Sequence, residues 1–282
     1  MSAIAKTDIA ADVAERIEAI GRELDGYGEV AVAVSGGIDS LTLATLAARR
    51  LGERAAMFHS LTGSVPLEAT ERTRALAARL GWTLRVIDAN EFSRDEYIAN
   101  PVNRCFYCKQ SLYAEIARHT AAQVVSGANT DDLGEYRPGL DAAREAGARH
   151  PFVDARIDKA TIRAIARAVG LGGYAQIPAS PCLSSRVETG IRITRPMLRQ
   201  IEEAEVAIRA RIEAASVRCR VRGAGVVIEI DAATLERLPA ATRGEIAADV
   251  ARIFGLSMPP ALEAYRNGSA FLLKTSAPES RR

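Results

Sequence analysis

The stretch Val30–Ser40, VAVAVSGGIDS, decides how the rest of the chain is read. Its five leading residues form a short apolar run, the pattern of a buried strand. Ser35, Gly36 and Gly37 end that strand, and a helical pattern follows from Ser40 to Leu51. Glycines at a strand-to-helix turn let backbone N–H groups approach an anion closely, and the helix N-terminus adds its positive dipole end. Ser35 and Ser40 supply hydroxyl donors to the same place. Asp39 puts an acid inside this anion site, which points to a metal ion shared by carboxylate and phosphates. The alternative is a plain βα turn. The loop lacks the lysine of GxxxxGK[ST] and the spacing of GxGxxG.

Outward from this loop the strand and helix signals alternate. Apolar runs at Ala55–His59, Leu84–Ile87 and Gln123–Ser126 are separated by helical stretches at Leu67–Leu80 and Cys105–His119. That order predicts βαβ units and a doubly wound parallel sheet of the α/β class. Asp158 reads as the N-cap of a helix carrying Ile162, Ile165 and Val169 on one face, stopped by Gly170. The single Trp82 reads as core. Beyond Thr189–Pro196 the pattern changes to a long helix over Met197–Ala215, strands at Val217–Val221 and Val226–Ile230, and helices at Ala232–Leu238 and Thr242–Phe254. The expected division is a domain over 1–190 and a smaller α+β domain over 191–282 for substrate binding or oligomerisation.

Composition narrows the function classes. The chain has 282 residues, of which 48% are hydrophobic and 26% charged, enough for a sizeable core without disulfides. A net charge of +2 argues against nucleic acid as a partner, because phosphate binding by a basic surface leaves a much larger excess. No run approaches the ~18 apolar residues of a membrane span, and the amphipathic N-terminal segment lacks the apolar core of a signal peptide. Four cysteines make no disulfide framework, so a cytoplasmic location is expected. The tail Ser276–Arg282 is expected to fray.

Two further segments carry candidate chemistry. Val124–Asp132, VVSGANTDD, ends a strand in Gly127, Asn129, Asp131 and Asp132, at the carboxyl edge where α/β sheets take ligands. Arg104–Lys109, RCFYCK, places Cys105 and Cys108 at CxxC spacing, half of a zinc site with no matching second pair. Cys182 lies in PASPCLSSR beside Ser184, Ser185 and Arg186, donors that favour a thiolate. Cys219 alternates away from Arg218 and Arg220 on its strand and reads as an apolar filler.

SGGIDS resembles the signature of the PP-loop ATP pyrophosphatases, of the adenine nucleotide α-hydrolase type, which cleave ATP between the α- and β-phosphates. The order NxxRCxYCK, GANTDDLGEYRPGLDAARE and CLSSR, continuing to VRCRVRGAGVVIEI, is similar to the LarE family of ATP-dependent sulfur transferases. The likeness runs from about Val30 to Glu229, and LGEYRPGL at Leu133–Leu140 is its most discriminating part. It implies adenylation of a carboxylate on a pyridinium dicarboxylate mononucleotide, release of pyrophosphate, and conversion to a thiocarboxylate for the nickel-pincer cofactor of lactate racemase. ATP and Mg²⁺ are implied at Ser35, Gly36, Gly37, Asp39, Ser40, Gly127, Asn129, Asp131 and Asp132. The three-cysteine subtype implies a [4Fe–4S] cluster on Cys105, Cys108 and Cys182, with hydrosulfide or another donor supplying the sulfur. The alternatives are sacrifice of the Cys182 sulfur, zinc at the CxxC, and a tRNA thiolation enzyme.

Arg218 and Arg220 match family positions that contact the substrate phosphate; the competing reading is a solvated strand face. Ser185 and Arg186 are the other anion candidates, and Glu205 matches an acid implicated in metal binding. Val221–Arg222 stands where the family has His-His, and Glu188–Thr189 where it has Pro-Tyr. The resemblance also implies a homo-oligomer, a hexamer in family members.

Overall fold

A computed structural model describes residues 3–134, 136–177 and 181–272. The expected frayed tail therefore lies outside the described residues, as do Glu135 and the Pro178–Ser180 part of the Cys182 loop. In chain order the elements are α1 (Ala3–Tyr27), β1 (Val30–Ala33), α2 (Ile38–Leu51), β2 (Ala55–Ser60), α3 (Leu67–Leu80), β3 (Thr83–Ile87), α4 (Asp95–Ile98), α5 (Arg104–His119) and β4 (Gln123–Ser126). They continue as α6 (Pro138–Glu145), α7 (Pro151–Asp154), α8 (Lys159–Ala168), α9 (Arg195–Arg211), β5 (Val217–Arg222), β6 (Gly225–Ile230), α10 (Ala232–Arg237), α11 (Ala240–Phe254) and β7 (Ala261–Ala264), with short 3₁₀ turns between. Two compact units emerge: Met1–Arg94 with Cys105–Ser180, and Asp95–Arg104 with Pro181–Arg282. Gly190 falls within the second.

The first unit is built on a four-stranded parallel sheet of order β3-β2-β1-β4. β1 shows why its sequence does not alternate. Val30, Val32 and Val34 face a core shared with Leu41 and Leu46 of α2 and Ile162 and Ile165 of α8. Ala31 and Ala33 face a second core containing Tyr113 and Ile116 of α5 and Ala143 of α6. A strand with helices on both faces has no solvated side, and period 2 then sorts large residues from small rather than apolar from polar. This is the expected α/β, doubly wound sheet. Trp82 belongs to the first core, at 7% exposure. α1 adds Val13, Ile20 and Leu24 to it. Asp158 caps α8 as expected, accepting from the Thr161 N–H at 2.7 Å, and Gly170 sits at φ +82° just past its end.

The second unit has a three-stranded sheet, β5 antiparallel to β6 and β6 parallel to β7. α9 buries Leu198, Ile201, Ala204 and Ile208 along one side, and α11 buries Ile246 and Val250. α9 starts two residues before the expected Met197, because Thr194 caps it and Pro196 occupies the first turn. It ends at Arg211 rather than Ala215, where Ile212 turns extended. β7 had no signal in the sequence. Among the described residues no helix is long and apolar enough to cross a membrane.

Candidate functional site

In the first unit the strand order reverses between β1 and β4, and the loops leaving their carboxyl ends meet. Such a switch point opens the crevice in which parallel sheets bind ligands. Gly127, after β4, packs so tightly on the first turn of α2 that a Cβ there would lie 2.9 Å from the Ser40 nitrogen. Gly36 is similarly constrained. Its φ is +81°, and a Cβ would stand 2.6 Å from the Ala69 carbonyl oxygen of α3. Glycine is therefore required at both positions by backbone approach, and at Gly36 by conformation as well.

Hydroxyls fix the loop between β1 and α2. Ser40 Oγ donates to the Gly37 carbonyl at 2.9 Å and accepts from the Ser35 N–H at 3.1 Å, with Ser35 Oγ 3.1 Å away. Asn129, only 1% exposed, joins the two loops by donating to Asp39 Oδ2 at 3.3 Å. The β4 loop is folded by its own acids. Asp132 Oδ2 accepts from the Asn129 N–H at 3.1 Å, and Asn129 Oδ1 accepts from the Asp131 N–H at 3.0 Å. Asp132 also pairs with Arg137 at 2.9 Å.

The structure thus brings together Ser35, Gly36, Gly37, Asp39, Ser40, Gly127, Asn129, Asp131 and Asp132 in one unit. Burial pushes the Asp39 carboxyl above its usual value; Lys159, 3.8 Å from Oδ2, opposes the shift and Asp132 reinforces it. Asp39 Oδ1 is buried without a hydrogen-bond partner among the described residues.

Several supporting residues carry no local signature. Arg72 of α3 donates to the Gly36 carbonyl at 2.7 Å and pairs with Glu68. His59 of β2 bridges the Val34 carbonyl and the Thr70 hydroxyl, each at 2.9 Å. A carbonyl only accepts, so Nδ1 carries the proton and Nε2 accepts from Thr70. Burial lowers the His59 pKa, which keeps that tautomer neutral.

Cys105 and Cys108 stand three apart near the start of α5, on one face of the helix. Both are half-buried and neither is in a disulfide, as is also true of Cys182 in the second unit. Among the described residues no three His, Cys, Asp or Glu side chains are gathered as a metal-binding group.

In the second unit Arg186 is 2% exposed and grips Glu205 with two parallel bonds, Nε–Oε1 and Nη2–Oε2, both 2.9 Å. Its Nη1 donates to the carbonyls of Pro181 and Cys182 at 2.6 and 3.1 Å and to Ser185 Oγ at 3.2 Å. Glu205 Oε1 also accepts from the Cys219 N–H at 3.0 Å. Burial works against the Arg186 charge, yet Glu205 more than offsets it and the pKa is raised.

Arg218 and Arg220 share one face of β5 and both stack on the Tyr265 ring, at 5.7 and 6.0 Å. They are 8% and 4% exposed, which overturns the reading of a solvated strand face. Arg220 pairs with the fully buried Glu229 at 2.8 Å and donates to the Ser185 carbonyl at 3.0 Å. Burial and the neighbouring Arg186 pull Arg218 down to about 10. Cys219 is fully buried, and burial raises its thiol pKa, as befits a filler. Glu229 and Tyr265, which organise this face, had not been singled out from the sequence.

No family model matches the chain. Individual relatives do. An uncharacterised protein of Synechocystis, slr1717, is 37% identical over 182 residues, covering 63% of this chain and 68% of its own. The pyridinium-3,5-bisthiocarboxylic acid mononucleotide synthase of Lactiplantibacillus plantarum is 31% identical over 186 residues, 64% of this chain and 67% of that one. A GMP synthase of Aeropyrum pernix is 28% identical over 231 residues, 73% of this chain and 44% of that one. With the glycine loop at the β1/β4 switch point, these likenesses define an ATP-using enzyme of the PP-loop class. Within that class the chain belongs to the LarE family, that of the Lactiplantibacillus synthase.

Proposed function

We propose that this protein is an ATP-dependent sulfur transferase that converts a carboxylate of a pyridinium dicarboxylate mononucleotide into a thiocarboxylate. The observation that carries the reading is the buried Oδ1 of Asp39, without a hydrogen-bond partner among the described residues, inside a phosphate-type loop in a chain of the LarE family. The loop amides, Ser35 and Ser40 hold the triphosphate. A substrate carboxylate oxygen attacks the α-phosphorus and pyrophosphate leaves. A sulfur nucleophile then attacks the acyl carbon, and AMP departs with the former carboxylate oxygen. Adenylation is needed because a carboxylate is a poor electrophile, whereas AMP is a competent leaving group.

The residues present fit Mg²⁺ carried by a triphosphate: Asp39 has a buried carboxylate oxygen with no hydrogen-bond partner among the described residues, a hard donor beside the phosphate-type loop. When bound, the ion supplies charge to offset that of the departing pyrophosphate. Asn129 orients Asp39 for it. For substrate phosphate the reading uses Arg218 and Arg220 with Ser185 and Arg186.

For sulfur the reading uses Cys105, Cys108 and Cys182. Three unbridged, half-buried thiols are the donor chemistry of a [4Fe–4S] cluster with one open iron. When bound, that cluster supplies a site for an exogenous hydrosulfide. The alternative reading is that Cys182 gives up its own sulfur. A homo-oligomer is part of the same proposal.

Anaerobic purification followed by iron and acid-labile sulfide analysis, with pyrophosphate release from ATP, tests these points. Close to four of each per chain supports the cluster. Absence of both, with stoichiometric desulfuration of Cys182, supports the second reading. Asp39→Ala is expected to abolish pyrophosphate release; release at the wild-type rate sinks the proposal.

A further inference from the structure

Asp39 is held on one side only. Oδ2 accepts from Asn129 and lies 3.8 Å from Lys159 Nζ, while Oδ1 has no hydrogen-bond partner among the described residues. The backbone delivers Lys159 to this place. It is the first residue of α8, directly after the capping Asp158, and its N–H donates to Asp131 Oδ2 at 3.4 Å. The Thr130 N–H donates to the Ile157 carbonyl at 3.1 Å, so the β4 loop and the start of α8 are tied together. The anchored parts are backbone; the ammonium is carried on a flexible four-carbon stem, and the side chain is 35% exposed. One turn further along α8, Arg163 also acts on Asp39, and its Nε is buried with no partner among the described residues. Arg137 adds positive charge from the β4 side and Asp132 negative charge.

A divalent cation on the open Oδ1 and the Lys159 ammonium beside Oδ2 would sit on the two oxygens of one carboxylate, close enough to repel strongly. A metal–nucleotide that takes Oδ1 therefore drives Lys159 away from Oδ2, and the phosphates that arrive with the metal offer it new acceptors. We propose that Lys159 is a placeholder cation, neutralising Asp39 in the nucleotide-free protein and passing that carboxylate to the divalent ion when a nucleotide arrives. This deepens the nucleotide reading of the loop and rests on it. Free metal, which must displace Lys159 without offering it a new partner, binds weakly. Metal with triphosphate binds well, because the displaced ammonium gains phosphate oxygens. The exchange couples the two ligands with no change of fold.

The test uses Mn²⁺ as the probe, with free ion followed by electron paramagnetic resonance in the full chain without nucleotide. Lys159→Met is expected to bind Mn²⁺ about fivefold more tightly than wild type, the range for losing one partly exposed ion pair. Lys159→Arg is expected to stay near wild type. Arg167→Gln, which removes the same charge from the exposed side of α8, is expected to change nothing. Asp39→Asn is expected to lose the site. With Mn²⁺ and ATP together the order reverses, Lys159→Met binding more weakly than wild type.

Equal or weaker free Mn²⁺ binding by Lys159→Met overturns the proposal, as does equal tightening in Arg167→Gln or absence of Mn²⁺ binding in both wild type and Lys159→Met. If free-metal tightening is seen but ATP alters nothing in any variant, the nucleotide reading of the loop falls while Lys159 stands as a competitor for metal at Asp39.

Discussion

Truncating Arg186 to methionine is expected to destabilise the second unit by about 3–5 kcal/mol. Arg186 and Glu205 have side chains 3% and 9% exposed, so water cannot replace the lost partner at Glu205. The variant buries an uncompensated carboxylate whose two oxygens had each accepted from the guanidinium at 2.9 Å. The Pro181 and Cys182 carbonyls lose a donor as well, but they are partly exposed and contribute less. The discriminating variant removes both charges. Arg186→Met with Glu205→Met removes both members of this pair and leaves the Cys219 N–H without its acceptor, a cost of about 1–3 kcal/mol. The double variant is therefore expected to be more stable than Arg186→Met alone. Urea unfolding of the full chain by circular dichroism measures this, with hydrogen exchange over α9 and β5 to locate the loss. A cost below about 1 kcal/mol for Arg186→Met, or a double variant less stable than that single, refutes the reasoning. Arg186 also holds the carbonyl of Cys182, so on the proposed sulfur-transfer reading loosening it is expected to slow sulfur transfer more than pyrophosphate release.

Gly36→Ala is expected to abolish ATP binding while the chain still folds, because a Cβ at φ +81° meets the Ala69 carbonyl at 2.6 Å and must displace the loop; wild-type ATP affinity by calorimetry contradicts it. His59 and His150 are held neutral, their pKa values lowered below 6.5 chiefly by burial. The unfolded chain then binds the extra protons first, so stability is full above about 6.5 and falls as pH drops towards the lowered folded values. Urea midpoints across that window should show it, and His59→Gln should flatten part of the slope. Iodoacetamide is expected to label Cys105, Cys108 and Cys182 in the native chain and spare Cys219, which is fully buried with a raised pKa; peptide mass mapping reads the difference.

The parts legible in the sequence were those whose cause is local. Val30–Ala33 reads as a buried strand because both its faces meet helices, and Gly36 and Gly37 mark the turn because the backbone there needs them. Asp158 announces α8 through its own side chain. β7 was invisible for the opposite reason. Ala261–Ala264 reads ALEA, with no β-branched residue and no apolar alternation, and it is a strand because β6 offers it a free edge. The early start of α9 was legible in principle, since Thr194 followed by Pro196 is a cap and first-turn proline.

The site divides along the same line. Asp39, Asn129 and Asp132 were found because their segments look like ligand loops, but what sets the chemistry of Asp39 comes from far along the chain. Lys159 lies on α8 and Arg72 on α3, and each acts at a distance in sequence where no spacing rule operates. The second unit makes the point more sharply. Composition and alternation put Arg218 and Arg220 on one strand face, and only the fold reveals that this face is buried over Tyr265 with Glu229 beneath it. Arg220 answers Glu229 and Arg186 answers Glu205, while Arg218 donates to its own strand at the Val217 carbonyl. Burial and the neighbouring Arg186 pull the Arg218 pKa down to about 10, so any anion reaching this face would favour its charged form.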